Sequence, residues 1–242
     1  FTASSLNVDL LIHYGHSCLI PIINNNNNNN KVKVLYVFVD ITIDFEHCVE
    51  TIKLNFDKND RLVLVSTVQF IKSLQIIYKN LISFGFNNVK IPQLKPLSPG
   101  EILGCTAPFV KCADAILYVG DGRFHLEAAM IANPKLKFYR YDPYEKKLTE
   151  EYYQHKLLFD TRESEINKAK NCGDNNSNVF GVILGTLGRQ GNLKVYDYLH
   201  ENLNKSGKKT VSILLSEIYP SKLNLFSDCV DAFVQIACPR LS

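Results

Sequence analysis

Two cysteines stand where thiol chemistry is expected. Cys238 follows the strand-like run Ala232-Phe233-Val234-Gln235-Ile236, and Cys105 follows Gly104 at the end of a short Pro99–Leu103 segment. The carboxyl end of a buried strand is where α/β proteins place ligands and reacting groups. A thiol there serves as a metal or cluster ligand, or as a nucleophile. Two unrelated buried cysteines would look the same from composition alone. The other five, Cys18, Cys48, Cys112, Cys172 and Cys229, lack such placement and read as buried or incidental thiols. No Cys-x-x-Cys occurs, which removes a zinc ribbon and a thioredoxin-like pair.

Two glycine-rich stretches sit at strand-to-helix turns. Gly120-Asp121-Gly122-Arg123-Phe124-His125 is one, and Gly185-Thr186-Leu187-Gly188-Arg189-Gln190-Gly191 is the other. Glycines permit close backbone approach, and a helix N-terminus accepts an anionic group. Both stretches fit a carboxylate-bearing ligand clamped by Arg123 or Arg189; plain turn chemistry with surface arginines is the competing reading. His13, His16 and His125 lie near strand ends, where a hydrogen-bonded core histidine is the commoner outcome. Neither a nucleophile elbow nor a Walker loop is present.

The elements that must position these residues alternate between strand and helix, the pattern of an α/β protein with parallel sheets. Strands are expected at Val8–Tyr14, Lys31–Ile43, Arg61–Ser66, Ala115–Val119, Phe138–Tyr141, Phe180–Gly185, Val211–Glu217 and Ala232–Ile236. The apolar, β-branched runs among them suit strands covered on both faces. Phe70, Ile71, Leu74, Ile77 and Leu81 recur at helical spacing within Val68–Phe84, and further helices are expected at Arg123–Ile131 and Leu193–Leu203. Ser98 with Glu101 forms a capping box with Pro99 at the first helical position, which predicts a short helix ending at Gly104. Thr149–Lys170 is acidic at its start and basic at its end, and reads as a long connecting helix. The homopolymer Asn24–Asn30 buries nothing and is expected to be a disordered insertion.

Three segments superimpose: Val8–Gly15, Ala113–Gly120 and Val230–Ala237, each with an Asp, a strand and a small residue at the strand end. They predict three related α/β units. Cys105 lies nine positions before Asp114, and the matching place before Asp9 falls just ahead of Phe1; in the third unit it falls at Lys222, which is no cysteine, and the thiol is Cys238 at the strand end instead. One thiol per unit, three in all, is the ligand arithmetic of an iron–sulfur cluster with one open iron. The odd cysteine count of 7 without close disulfide spacing favours a reducing compartment. A net charge of +3, with the signs interspersed, gives no argument for nucleic acid. No apolar run is long enough to span a bilayer. The start at Phe1, with no basic leader, reads as a fragment cut at both ends rather than as a signal peptide.

Tyr14–Pro21, Leu103-Gly104-Cys105-Thr106, the run GDGRFHLEAAMIANP at Gly120–Pro134, Tyr139–Tyr144, Gly185–Gly191 and Ala237–Ser242 together resemble the diphthamide biosynthesis family, in its eukaryotic catalytic branch. The likeness covers nearly the whole chain except the Asn tract and the loop at 172–178. It implies three α/β domains in pseudo-threefold arrangement, the first and third truncated here. The expected division is 1–31 as the end of the first domain, 32–148 as the second, 149–178 as connecting helix and loop, and 179–242 as the third. Cys105 and Cys238 match the second- and third-domain ligands of a [4Fe-4S] cluster; the remaining ligand is expected upstream of Phe1. The implied activity is radical transfer of the 3-amino-3-carboxypropyl group of S-adenosylmethionine to a histidine of elongation factor 2. The Cys-x-x-x-Cys-x-x-Cys loop of ordinary radical S-adenosylmethionine enzymes is absent. Asp121, Arg123, Arg189 and Gln190 are candidate contacts of S-adenosylmethionine. Implied partners are a paralogous second subunit or a second copy, elongation factor 2 and a small electron-donor protein, all in the cytoplasm. Retention of Cys105 and Cys238 argues against a non-catalytic partner subunit. The GDGRFHLEAAMIANP and YRYDPY segments argue against a quinolinate-synthase-like enzyme.

Overall fold

The computed structural model describes residues 6–14, 32–95, 97–104, 106–171, 178–186 and 191–238. The Asn24–Asn30 tract, Cys105, Arg189, Gln190, Cys18 and Cys172 lie outside these. The chain forms two compact units, Phe1–Tyr152 and Tyr153–Ser242.

In the first unit, β1 (Leu10–Tyr14) pairs in parallel with β2 (Lys33–Val37). A four-stranded sheet follows in the order β3-β4-β5-β6, from β3 (Leu62–Ser66), β4 (Ala115–Val119), β5 (Lys137–Asp142) and β6 (Lys147–Glu151). The first three strands are parallel, and β6 is antiparallel to β5. Every residue of β3 and β4 is buried, as continuous apolar strands demand. Leu62, Leu64, Leu117 and Val119 share a core with α1 (Phe45–Asn55) and α2 (Ile71–Ser83), which contribute Cys48, Val49, Ile52, Leu74, Ile77 and Leu81. The helix α3 (Phe124–Ala132) buries Leu126, Ala128, Ala129 and Met130.

The second unit opens with α4 (His155–Asn171). Its sheet has the order β8-β7-β9, all parallel, from β7 (Val179–Gly185), β8 (Lys209–Leu215) and β9 (Ala232–Ile236). The helix α5 (Leu193–Lys205) sends Tyr196, Leu199 and Leu203 against Val182, Leu184 and Ile236. A four-residue helix, α6 (Pro220–Leu223), precedes β9.

The repeated aspartates do the same work in both units. The Arg61 backbone N–H donates to Asp114 Oδ2 at 2.9 Å, while the Asp114 N–H donates to the Arg61 carbonyl at 2.9 Å. The Val179 N–H donates to Asp231 Oδ2 at 2.7 Å, and the Asp231 N–H donates to the Val179 carbonyl at 2.9 Å. Each Asp thus clasps the amino end of the parallel strand beside it. The topology repeats as well: β3 has β4 on one side and a parallel bridge to Lys90 on the other, as β7 lies between β9 and β8.

Arg61 also holds Asp114 through its guanidinium, Nε to Oδ2 at 3.0 Å and an Nη to Oδ1 at 2.5 Å. That hydrogen bond and the backbone one lower the Asp114 pKa from 3.8 to about 2. The folded value lies below the unfolded one, so the stabilisation is complete above the ordinary carboxylate range and is lost as the pH falls towards 2. Urea midpoints of the protein and of Asp114→Asn are therefore expected to differ at about pH 5 and to converge by about pH 2; a constant gap would count against the clasp.

Several expectations need correction. Residues 149–151 are not helical: Thr149 and Glu151 belong to β6, where Thr149 opposes Arg140 and Glu151 opposes Phe138. The helix begins only at His155. The hairpin between β5 and β6 is set by Asp142, whose Oδ1 accepts from the N–H groups of Tyr144 (3.0 Å) and Glu145 (3.1 Å), with Lys146 at φ 51°. The helix expected at Pro99–Leu103 is also absent. The Ser98 N–H does donate to Glu101 Oε2 at 3.0 Å, but Gly100 has φ +86° and the chain pairs with β3 instead. Strand β1, expected to be buried, leaves Leu10, Leu11, Ile12 and Tyr14 exposed. The expected strand at 31–43 is regular only over Lys33–Val37. The helices α1 and α6 have no counterpart among the expected elements.

Candidate functional site at the strand carboxyl ends

In the first unit, the carboxyl ends of β3 and β4 gather two of the expected segments. Ser66, last in β3, donates its N–H to the Gly100 carbonyl at 2.8 Å and receives the Ile102 N–H on its own carbonyl at 2.9 Å. Residues 100–102 therefore run beside the strand end. Leu103 and Thr106, which flank Gly104 and Cys105, exchange two backbone hydrogen bonds of 2.9 and 3.2 Å. Gly104 packs closely there: a Cβ would meet the Phe124 ring, 2.8 Å from its Cζ, and the ring would have to shift. Phe124 opens α3, so the residue before Cys105 packs against the start of the helix that follows the Gly120–Arg123 turn.

That turn is seated on Tyr118. The buried Tyr118 hydroxyl donates to the Asp121 carbonyl at 3.2 Å, and burial pushes its pKa up to about 12, so it stays a donor. A Cβ on Gly120 would lie 2.7 Å from that hydroxyl, and Gly122 has φ +65°. Asp121 and Arg123 are both exposed. Arg123 engages protein groups with all three guanidinium nitrogens: Nε meets Glu127 Oε1 at 3.2 Å, one Nη meets Glu151, and the other meets the Tyr152 carbonyl at 2.8 Å. This Glu151 contact had no local sequence signal.

In the second unit, Cys238 lies two residues beyond Ile236, the ladder partner of Leu184. The Thr186 N–H, just past β7, donates to the Leu215 carbonyl at 2.8 Å. The thiol and the Gly185–Gly191 loop thus leave the same end of one sheet. Gly191 closes that loop, since a Cβ there would strike the Gly185 carbonyl and lie 2.7 Å from Leu184 Cδ1. Arg189 and Gln190 fall between these glycines, outside the described residues.

Cys238 is 4% exposed. Its donor type and strand-end position suit iron–sulfur ligation. Cys48 is equally buried, but desolvation raises its thiol far above the usual range, as befits a core residue. Cys112 and Cys229 are exposed, and the Cys229 thiol donates to the Phe226 carbonyl at 3.4 Å. Among the described residues no three His, Cys, Asp or Glu side chains gather as a metal site, and no helix is long and apolar enough to cross a membrane.

Mainly parallel sheets, with glycine-rich turns at their carboxyl ends and a buried thiol at one of them, define the class as an α/β protein. The chain belongs to the family whose model is described as "Putative diphthamide synthesis protein", which matches residues 1–242. It is 48% identical over 251 residues to 2-(3-amino-3-carboxypropyl)histidine synthase subunit 1 of Dictyostelium discoideum, covering 100% of this chain and 51% of that protein. The same-named protein of Caenorhabditis elegans is 51% identical, with 100% and 59% covered, and that of Homo sapiens 49%, with 100% and 53% covered. The chain spans about half the length of the curated relatives it matches. Among solved structures, Dph2 from Pyrococcus horikoshii with a 4Fe-4S cluster superimposes with a TM-score of 0.74 at 26% identity, covering 99% of this chain and 66% of that one. A second structure of Dph2 from Pyrococcus horikoshii gives 0.73 at 27%, covering 99% and 67%.

Proposed function

We propose that the protein containing this chain transfers the 3-amino-3-carboxypropyl group of S-adenosylmethionine to a histidine of elongation factor 2, the first step of diphthamide biosynthesis. The observation that carries this reading is identity of about half across the whole chain to proteins named for that product. Cys105 and Cys238 are two thiol ligands of a [4Fe-4S] cluster, and a further thiol completes the set. When bound, such a cluster supplies the electron that breaks the sulfonium bond to the aminocarboxypropyl arm. The chain's own part is to hold and orient the donor. Asp121 and Arg123 in one turn, and Arg189 and Gln190 in the other, are the polar side chains placed to contact it. In this reading residues 1–31, 32–148 and 179–242 belong to three related domains, with 149–178 connecting the last two. The name subunit 1 supports assembly with a paralogous subunit; a homodimer is the alternative. Elongation factor 2 and a small electron donor are the other partners, in the cytoplasm.

The test is anaerobic reconstitution of the full-length protein with iron and sulfide, read by absorbance and EPR. S-adenosylmethionine labelled in the carboxypropyl arm, or in the methyl group, is then supplied with elongation factor 2 and dithionite as the electron source. Label on the factor from the first donor only is expected. A full-length protein that takes up no cluster, or a factor labelled only from the methyl group, would end this reading.

A further inference from the structure

Arg123 stands in the expected donor-binding turn, yet its guanidinium is held by the protein itself. The partner that ties it down is Glu151, on the antiparallel strand β6. The Glu151 side chain is 8% exposed, and its carboxylate serves three donors. Oε2 receives Arg123, while Oε1 receives Arg140 Nε at 3.1 Å and the Thr149 hydroxyl at 2.8 Å. Arg140 also lies 3.6 Å from Asp142, whose other carboxylate oxygen holds the β5–β6 hairpin. On the other side, Arg123 reaches Glu127 one turn along α3, and the Glu127 N–H donates to the Arg123 carbonyl at 2.8 Å. A continuous chain of charge-assisted hydrogen bonds therefore joins β6, β5 and the first turn of α3. It ends at the residue closing the Gly120–Arg123 turn.

We infer that Glu151 is a positioning residue for that turn, acting through Arg123, and that holding the turn is what the antiparallel strand contributes to the site. The geometry supports this in two ways. A nearly buried carboxylate is costly unless paired, and its two guanidinium partners come from different elements, so each fixes the other's placement. Gly120 and Gly122 have no side chains to hold the segment's conformation, and the exposed Asp121 is braced from beneath only through its carbonyl, by Tyr118. With Glu151 removed, the turn keeps the Arg123 contacts to Glu127 and the Tyr152 carbonyl and the Gly120 N–H bond to the Tyr141 carbonyl at 3.0 Å, but loses its charged link to β6 and, through Arg140, to β5. Arg123 then has an anchoring role, and ligand contact in this turn falls to Asp121 and the backbone N–H groups.

This inference rests on the reading that the Gly120–Arg123 turn receives S-adenosylmethionine. The experiment uses the full-length, cluster-loaded protein with its partner subunit. S-adenosylmethionine binding is measured by calorimetry, alongside KM and kcat for transfer, for the wild type, Glu151→Gln, Arg123→Ala and the double variant. Glu151→Gln is expected to weaken binding about tenfold or more, the scale of a charge-assisted hydrogen bond. KM should rise while kcat changes by less than about threefold, the pattern of lost uniform binding. On the Arg123→Ala background Glu151→Gln should add nothing, because the two act in series. Binding by Glu151→Gln within about twofold of wild type would overturn the inference. So would fully additive losses, which would give Glu151 a route independent of Arg123. If Glu151→Gln does not fold, Glu151→Asp, which keeps the charge but shortens the reach to Arg123, is judged by the same criteria. A wild type that takes up no S-adenosylmethionine overturns the parent reading, and this assignment with it.

Discussion

Cys238→Ala is expected to leave the reconstituted full-length protein without its iron–sulfur absorbance and EPR signal while its fold survives. The thiol is buried at a strand end, so alanine removes a single sulfur from a site already closed to water. Losing one buried atom costs about 1 kcal/mol, well inside the margin of a folded protein. A cluster deprived of one of its few protein ligands loses far more than that. Cys48→Ala is the matched control. Cys48 is 0% exposed and packed in the first unit's core, so it should lower the melting temperature at least as much as Cys238→Ala yet leave iron content untouched. Cys112→Ala, at an exposed position, should change neither. Cys105→Ala should match Cys238→Ala in iron content. If Cys238→Ala retains a full complement of iron, the assignment of the strand-end thiol is wrong.

The largest purely structural effect is expected at Gly100. This residue starts the segment that runs beside Ser66 towards Cys105, and it does so at φ +86°. Alanine there is strained by roughly 1–2 kcal/mol in the left-handed region. Its Cβ would also sit 2.6 Å from Leu74 Cδ2 and 3.0 Å from Ile91 Cγ2. Leu74 is fully buried in the core and has little room to give, so overpacking adds about 1–3 kcal/mol. A loss of about 2–5 kcal/mol in a denaturant titration is expected for Gly100→Ala. Gly85→Ala separates the two causes, because Gly85 has φ +90° but nothing closer than 3.7 Å. It should show the conformational loss alone, about 1–2 kcal/mol. Equal losses at the two glycines would remove the packing contribution.

Much of the scaffold could be read directly from residue pattern. Ala115–Val119 and Ala232–Ile236 are strands at the bounds their apolar runs suggested, and α2 follows the spacing of Leu74, Ile77 and Leu81. These succeed because burial on both faces, or along one helical stripe, leaves a strong periodic signal. α1 carried such a signal too, with Cys48, Val49 and Ile52 buried and Asp44 accepting from the His47 N–H at 3.1 Å; it was hidden by the apolar run just before it. β6 had no comparable mark. Its sequence, Lys147-Leu148-Thr149-Glu150-Glu151, suits a helix as well as a strand, and pairing with β5 decides the matter. The Ser98–Glu101 motif failed differently: its hydrogen bond forms as expected, but the same local geometry serves a turn once the neighbouring chain pairs with β3.

At the site, the glycine turns and Cys238 were visible because small residues and a thiol at strand ends are local features. The commitments of Arg123 were not, because Glu151 lies 28 residues away and speaks through tertiary contact alone.

The aspartate clasps at Asp114 and Asp231 act at the end of each sheet opposite to the chemistry. They fix where a strand begins, and strand length then fixes where it ends. Connector length is thereby freed from alignment: extra residues between strands cost only slowly rising closure entropy and do not shift the ladder by a step. The two units use that freedom differently. One carries its thiol before the strand that its aspartate opens, at Cys105 ahead of β4, and the other after that strand, at Cys238 beyond β9. A common datum at the amino ends lets copies of one architecture diverge at the carboxyl ends, where their cysteines and glycine turns lie.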